Sequence, residues 1–310
     1  PVRQLGRTLS AMTRTGFYDE SSLLKAVSAL SPARFTKVID SLLNTALVRV
    51  YLFGNYDEAF AATLAQTLRN ALPAERLASS TVARERVFAP SPGETLVRNV
   101  DVPVEDLGMM LLYAAPEASV SAEAAGLVLG SHLRNRAFDT LRTEEQLGYA
   151  AGGLTTTLQD HPMIGFYIQT PVKTPVDMLM RFEAFTTEYG AMLDAMTAEQ
   201  FANLKSGALT QLTEPPTNLA DEAGPYIGDW SRERYDYGTR GALIAAVEAV
   251  TLEDIQSHYR QTVLGDSPSR ILVQLRGQRW QAEPFASIDG ALEIDSVEAF
   301  HQAMPLQPLN

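Results

Sequence analysis

Arg142 and Tyr149 stand seven residues apart in the run Leu141-Arg142-Thr143-Glu144-Glu145-Gln146-Leu147-Gly148-Tyr149-Ala150, one on each side of a turn. Arginine offers a rigid planar fan of donors. Tyrosine offers one hydroxyl on a stiff ring. Both groups can bond a peptide carbonyl, or the oxyanion that develops during amide hydrolysis. Gly148 would let another backbone approach closely. The pair suits gripping a peptide backbone rather than cleaving one unaided. Each residue also has a plainer reading. Arg142 at a helix C-terminus is favoured by the helix dipole, and a tyrosine opening a strand packs half-buried.

No other constellation offers a complete catalytic centre. The four histidines, His132, His161, His258 and His301, are never closer than 29 residues. Neither His-x-x-Glu-His nor His-Glu-x-x-His occurs around any of them. His161 precedes Pro162 in an expected turn, and His258 is expected on a polar helix face. There is no Gly-x-Ser-x-Gly elbow and no phosphate loop; Gly152-Gly153 reads as strand flexibility. Glu144 and Glu145 are adjacent in a turn, which predicts two carboxylates pointing apart into solvent.

Composition narrows the class. The 310 residues are 45% hydrophobic, enough for one or two cored domains. Mean hydropathy is near zero, and the densest apolar stretch, Leu107 to Ala115, is strand-sized. That argues against a membrane span. The sequence has no Cys, which excludes disulfides and thiolate zinc sites within it. A net charge of -12 argues against nucleic acid as a partner. Residues 1–90 hold 11 Lys+Arg and 7 Asp+Glu, against 14 and 30 in the remainder. The split hints at two units with different surfaces, the acidic one suited to basic peptides. Arg outnumbers Lys, a bacterial compositional habit. No charged-then-apolar leader opens the sequence, and Pro1 suggests a trimmed start.

The elements that must carry Arg142 and Tyr149 follow from periodicity. Ser121 to Leu141 reads as a long helix. Gly148 to Thr157 and Met163 to Thr170 read as a strand pair about a turn at Gln159 to Pro162. Thr95 to Val100 and Leu107 to Ala115 are further strands, and Pro175 to Met196 is a helix with Met178, Leu179, Phe182, Phe185 and Leu193 inward. Thr197-Ala198-Glu199-Gln200 is a capping box opening the next helix, which must stop near Pro215-Pro216. More helix follows, through Trp230. The fold class expected is α+β: a mostly antiparallel sheet with helices packed on one face.

The chain also repeats itself. After a short helix (Ser21 to Leu30), Ser31-Pro32 opens a helix with Phe35, Val38, Ile39, Leu42 and Leu43 on one face; a strand, Ala46 to Phe53, then ends at Gly54. After Gly241 to Val250, Thr251 opens a helix with Ile255, Tyr259 and Val263 on one face; the strand Arg270 to Arg276 then ends at Gly277. Cap to glycine is 23 residues in the first case and 26 in the second. This predicts a duplicated domain: the last third of one copy within residues 1–90, and a complete copy over 91–310. Residues 73–94, rich in Pro and small residues, read as the linker, with a strand possible at Thr81 to Phe88.

The segment Phe138-Asp139-Thr140-Leu141-Arg142-Thr143-Glu144-Glu145-Gln146-Leu147-Gly148-Tyr149 resembles one in the C-terminal half of pitrilysin and insulysin, the large inverted-motif zinc metallopeptidases. The strand Gly165-Phe166-Tyr167-Ile168-Gln169-Thr170, the Glu-Gln-Phe helix start and the tail Gln302-Ala303-Met304-Pro305-Leu306 extend the resemblance over most of the chain. It implies the end of a third and the whole of a fourth homologous domain, in an enzyme whose two halves close around a chamber. It implies zinc in the complete enzyme, held by an N-terminal half and not by these residues. It further implies that Arg142 and Tyr149 bind peptide substrate near the scissile bond, that Tyr149 helps hold the reacting carbonyl, and that Phe138 lines the chamber. The chain alone would then be inactive. The expected compartment is the periplasm, with the cytoplasm as the alternative. Two other functions fit the same resemblance: a non-catalytic binding or structural subunit, and a peptidase that trims the precursor peptide of a quinone cofactor.

Overall fold

The computed structural model describes residues 2–44, 47–71, 86–158 and 160–303. Two compact units emerge: residues 1–19, 86–214 and 240–310, and residues 20–85 and 215–239.

The larger unit is built on one sheet. Its strands are β1 (Thr95–Asp101), β2 (Leu107–Ala114), β3 (Ala150–Leu158), β4 (His161–Thr170), β5 (Ser269–Arg276) and the short β6 (Leu292–Glu293), in the order β3-β4-β2-β5-β1-β6. The β2–β4, β2–β5 and β3–β4 pairs are antiparallel, and β1 runs parallel to β5 and β6. β2 is buried along its whole length. Alternation sends Met109, Leu111 and Tyr113 into one core, and Met110, Leu112 and Ala114 into another. This is why the run reads as continuously apolar.

The first core is roofed by helices α5 (Val120–Phe138), α6 (Pro175–Asp194), α7 (Ala198–Thr213), α9 (Thr239–Ala249) and α10 (Leu252–Val263). All five residues expected to point inward from α6 are buried. Both capping boxes form, with Gln200 N donating to Thr197 Oγ1 and Asp254 N to Thr251 Oγ1, each at 3.2 Å. Phe166, Phe182, Phe185, Tyr189 and Tyr259 lie at the centre. The hydroxyl of Tyr259 donates to the Thr186 carbonyl at 2.9 Å, so its burial leaves no orphan.

The α+β class holds, and the sheet's other face is closed as well. Helices α1 (Val2–Thr13) and α11 (Val297–Ala303) cover it through Leu5, Met12 and Phe300. Phe88 joins them, its ring 5.3 Å from that of Phe300. Phe88 is tied by its N–H to the Thr13 carbonyl at 2.7 Å. Of the expected linker, residues 73–85 lie outside the described residues, as do residues 81–85 of the strand considered there. Gln159 of the expected turn and residues 304–306 of the tail also lie outside them.

The smaller unit contains α2 (Glu20–Ser28), α3 (Pro32–Asn44), α4 (Glu58–Ala71) and α8 (Leu219–Ser231). Ser31 caps α3 by accepting the Arg34 N–H at 3.2 Å. The helix read at Ser31-Pro32 forms, and its apolar residues Phe35, Val38, Ile39, Leu42 and Leu43 are all exposed. One expectation fails here. Residues 47–53 form no strand, and Ala46 lies outside the described residues. A strand needs a laddered partner, and none faces this segment among the described residues.

Candidate functional site

The site lies where the roof helix α5 hands over to the sheet. Its N-terminus is capped by Ser119, which accepts the Ala122 N–H at 3.2 Å. The expected helix to Leu141 ends sooner in its α form. α5 stops at Phe138, and Asp139–Glu144 continues as one π-helical turn. Such turns shift the register of the side chains that follow. The Glu145 N–H closes the turn on the Thr140 carbonyl at 3.0 Å, and the Leu147 N–H reaches the Leu141 carbonyl at 2.9 Å. Leu141 and Leu147 are buried and pin the segment; Gln146 between them takes φ 54°.

Arg142, Tyr149 and Phe138 come together. The Arg142 guanidinium carbon lies 4.5 Å from the Phe138 ring centroid and 5.3 Å from that of Tyr149. Arg142 Nε donates to the backbone carbonyl of Tyr149 at 3.0 Å. Among the described residues nothing takes a hydrogen bond from its two terminal nitrogens, or from the Tyr149 hydroxyl. Tyr149 is 88% exposed and Phe138 39%. The half-buried packing open to Tyr149 on sequence is thus not what the fold gives. Its ring stands in solvent just before β3, beside a cation with free donors. Phe138 lies against the same cation.

Gly148 proves necessary for a different approach from the one expected. A Cβ built there would run into the Gln169 carbonyl of β4. The backbone that comes close is the protein's own, and it fixes where the chain enters β3.

Glu145 corrects a second expectation. It is not a free solvated carboxylate. Arg181 of α6 donates to it through Nε, at 3.0 and 2.9 Å to its two oxygens, and through Nη2 at 2.6 Å. Arg181 also holds Glu188, at 3.1 and 2.9 Å. These bonds, that to Glu145 first, raise the guanidinium pKa further above its usual value. The segment's sequence gave no sign of the partner, which lies 36 residues on. A helical Arg with an acid seven residues later was the only available hint.

The histidines are scattered in space as well as in sequence. His132 Nδ1 meets the Tyr189 hydroxyl at 2.9 Å, His161 Nε2 the Ala115 carbonyl at 2.7 Å, and His301 Nε2 the Met12 carbonyl at 3.0 Å. His258 is not on a polar face as expected. Its Nε2 is buried without a partner, and burial pushes its pKa down to about 4. Among the described residues no three His, Asp or Glu side chains converge as a metal site requires. The residues described do not fit a zinc ion.

Residues 128–227 match the family described as PQQ synthase PqqF-like, C-terminal lobe domain 4. Protease 3 of Salmonella typhi is 28% identical over 270 residues, covering 82% of this chain and 26% of that protein. A putative zinc protease of Schizosaccharomyces pombe is 21% identical over 298 residues, covering 93% of this chain and 30% of that protein. The crystal structure of pitrilysin superposes with a TM-score of 0.85 at 23% identity, covering 96% of this chain and 31% of that one. Over most of its length the chain is similar to a part of the pitrilysin-type peptidases, in sequence and in fold. It spans less than a third of the length of the curated relatives it matches.

Proposed function

We propose that this chain belongs to the substrate-gripping C-terminal half of a zinc metallopeptidase that hydrolyses small peptides in a closed chamber. The observation that carries the reading is the convergence of Arg142 and Tyr149 on one exposed place, each with unused donors. The Arg142 nitrogens would hold substrate carbonyls and fix the peptide's register. The Tyr149 hydroxyl would donate to the scissile carbonyl oxygen and hold it as negative charge grows there. Phe138 would line the chamber beside them. Zinc and its ligands would come from an N-terminal half, in the same polypeptide or a separate one. Alone, this chain would then cleave nothing at a useful rate. Residues 1–90 would be the end of the third peptidase-family domain and 91–310 the fourth. The periplasm is the compartment that goes with this reading.

The test is peptide hydrolysis by the chain assembled with its zinc-bearing half. Tyr149→Phe is expected to lower kcat/KM about 100-fold, the loss of one oxyanion donor. An unchanged rate would remove Tyr149 from the reaction. A second reading draws on the match to a PqqF-like lobe domain: a peptidase that processes the precursor peptide of a quinone cofactor. Preferential cleavage of such a precursor over unrelated peptides of equal length would favour it.

A further inference from the structure

The segment that carries Arg142 and Tyr149 has little regular structure to hold it. One π-helical turn, Asp139–Glu144, leads into Glu145; Gln146 then takes φ 54°, which a residue with a side chain adopts at some cost. Strain of this kind persists only where the surroundings over-determine it. Leu141 and Leu147 anchor the segment from below. From the side the anchor is Arg181. Glu145 lies three residues after Arg142 and four before Tyr149. Its carboxylate takes three hydrogen bonds from the one guanidinium, at 2.6 to 3.0 Å.

An ordinary surface ion pair would not fix a loop, because two long side chains in water lose as much entropy as they gain in attraction. This one differs in three ways. The Arg181 side chain is only 15% exposed. Its remaining donors are held by Glu188 on the same helix, so it cannot swing away. Its guanidinium carbon also lies 5.8 Å from the centroid of the buried Phe185 ring. The clamp therefore joins the segment to the rigid core of the larger unit through a planar, bidentate geometry that lysine could not reproduce.

We infer that Arg181, held in place by Glu188, is a positioning residue that fixes Glu145 and thereby the directions of Arg142 and Tyr149. The inference rests on the reading that those two residues grip substrate. It assigns Arg181 no contact with the substrate.

The experiment uses the assembled peptidase and a quenched fluorogenic peptide. Arg181→Met and Glu145→Gln are made singly, and each is combined with Tyr149→Phe. Either single variant is expected to lower kcat/KM by up to about 100-fold, the effect of a displacement near 1 Å at a reacting group. The thermal melt should stay close to that of the parent. Either substitution added to Tyr149→Phe should cost less than it costs in the parent, because the share of its effect that runs through the phenol is already lost. A merely structural role would not produce that non-additivity. If Arg181→Met does not fold, Glu145→Gln carries the same test with the Arg181–Glu188 pair intact. If Tyr149→Phe alone leaves cleavage unchanged, the grip itself is wrong. If Tyr149→Phe impairs cleavage while Arg181→Met and Glu145→Gln cleave at the parent rate, or their losses multiply with that of Tyr149→Phe, the clamp is wrong and the grip stands.

Discussion

The two compact units obey the same helical rules and end in opposite states. In the larger, α5 and α6 carry apolar residues at helical spacing, and those residues are buried against a sheet. In the smaller, α3 carries them at the same spacing and buries none. α2 and α4 likewise bury no side chain among the described residues. What the small unit has instead is a surface cluster. The Arg49 guanidinium carbon lies 4.5 Å from the Trp230 ring centroid, and Arg49 pairs with Glu233 at 3.2 Å. Tyr51 and Phe53 stack nearby. An amphipathic face is a demand for a partner, and propensity alone forms the helix without meeting it. Under the proposed assignment of residues 1–90 to the end of a third peptidase-family domain, a further layer would cover α3 and pair with residues 47–53.

Three measurements would break or sharpen that comparison. The largest difference is expected in the cores. Phe166→Ala removes a fully buried ring beside Phe182 and Phe185 and should cost about 3–5 kcal/mol in chemical denaturation. Phe35→Ala in this chain should stay within about 0.5 kcal/mol. Equal losses would mean the α3 face is packed after all. A large Phe35→Ala loss appearing only in a longer polypeptide would identify the cover.

The next effect is on pH. The unfolded-state pKa of His258 is near 6.5, and burial lowers the folded value to about 4. As pH falls between those values the unfolded chain takes up a proton that the folded one refuses, so stability drops with pH. The window is pH 6.5 to 4, and the loss is on the order of 2–3 kcal/mol. Melting curves across that range should show it for the larger unit, and His258→Gln should flatten it. The same slope in both proteins would place its origin elsewhere.

The smallest effect is expected in the small unit. Arg49→Met breaks the pair with Glu233 and the 2.8 Å bond to the Trp230 carbonyl. Both charged groups are about one-third exposed, so the cost should be about 1 kcal/mol or less. A loss of core size would show that the cluster is an organising centre.

The sequence by itself determined most elements of the larger unit, though not α1, β6 or α11, and singled out the residues of the candidate site. Capping boxes at Thr197 and Thr251, the 3.6-residue period of α6 and the apolar run of β2 are local signals, and local geometry obeys them. Arg142 and Tyr149 were legible because a long helix, a turn and a strand bring them together at short range; Phe138 entered only through the resemblance. Tertiary structure alone decided the rest. It put a π-helical turn after Phe138, matched Glu145 to Arg181, pressed Gly148 onto the Gln169 carbonyl and buried His258. It also placed α1 on the sheet's second face and left α3 and residues 47–53 without partners. Those outcomes depend on which surfaces meet across long stretches of chain, and a single element's pattern states only that it needs a neighbour, not which one it receives.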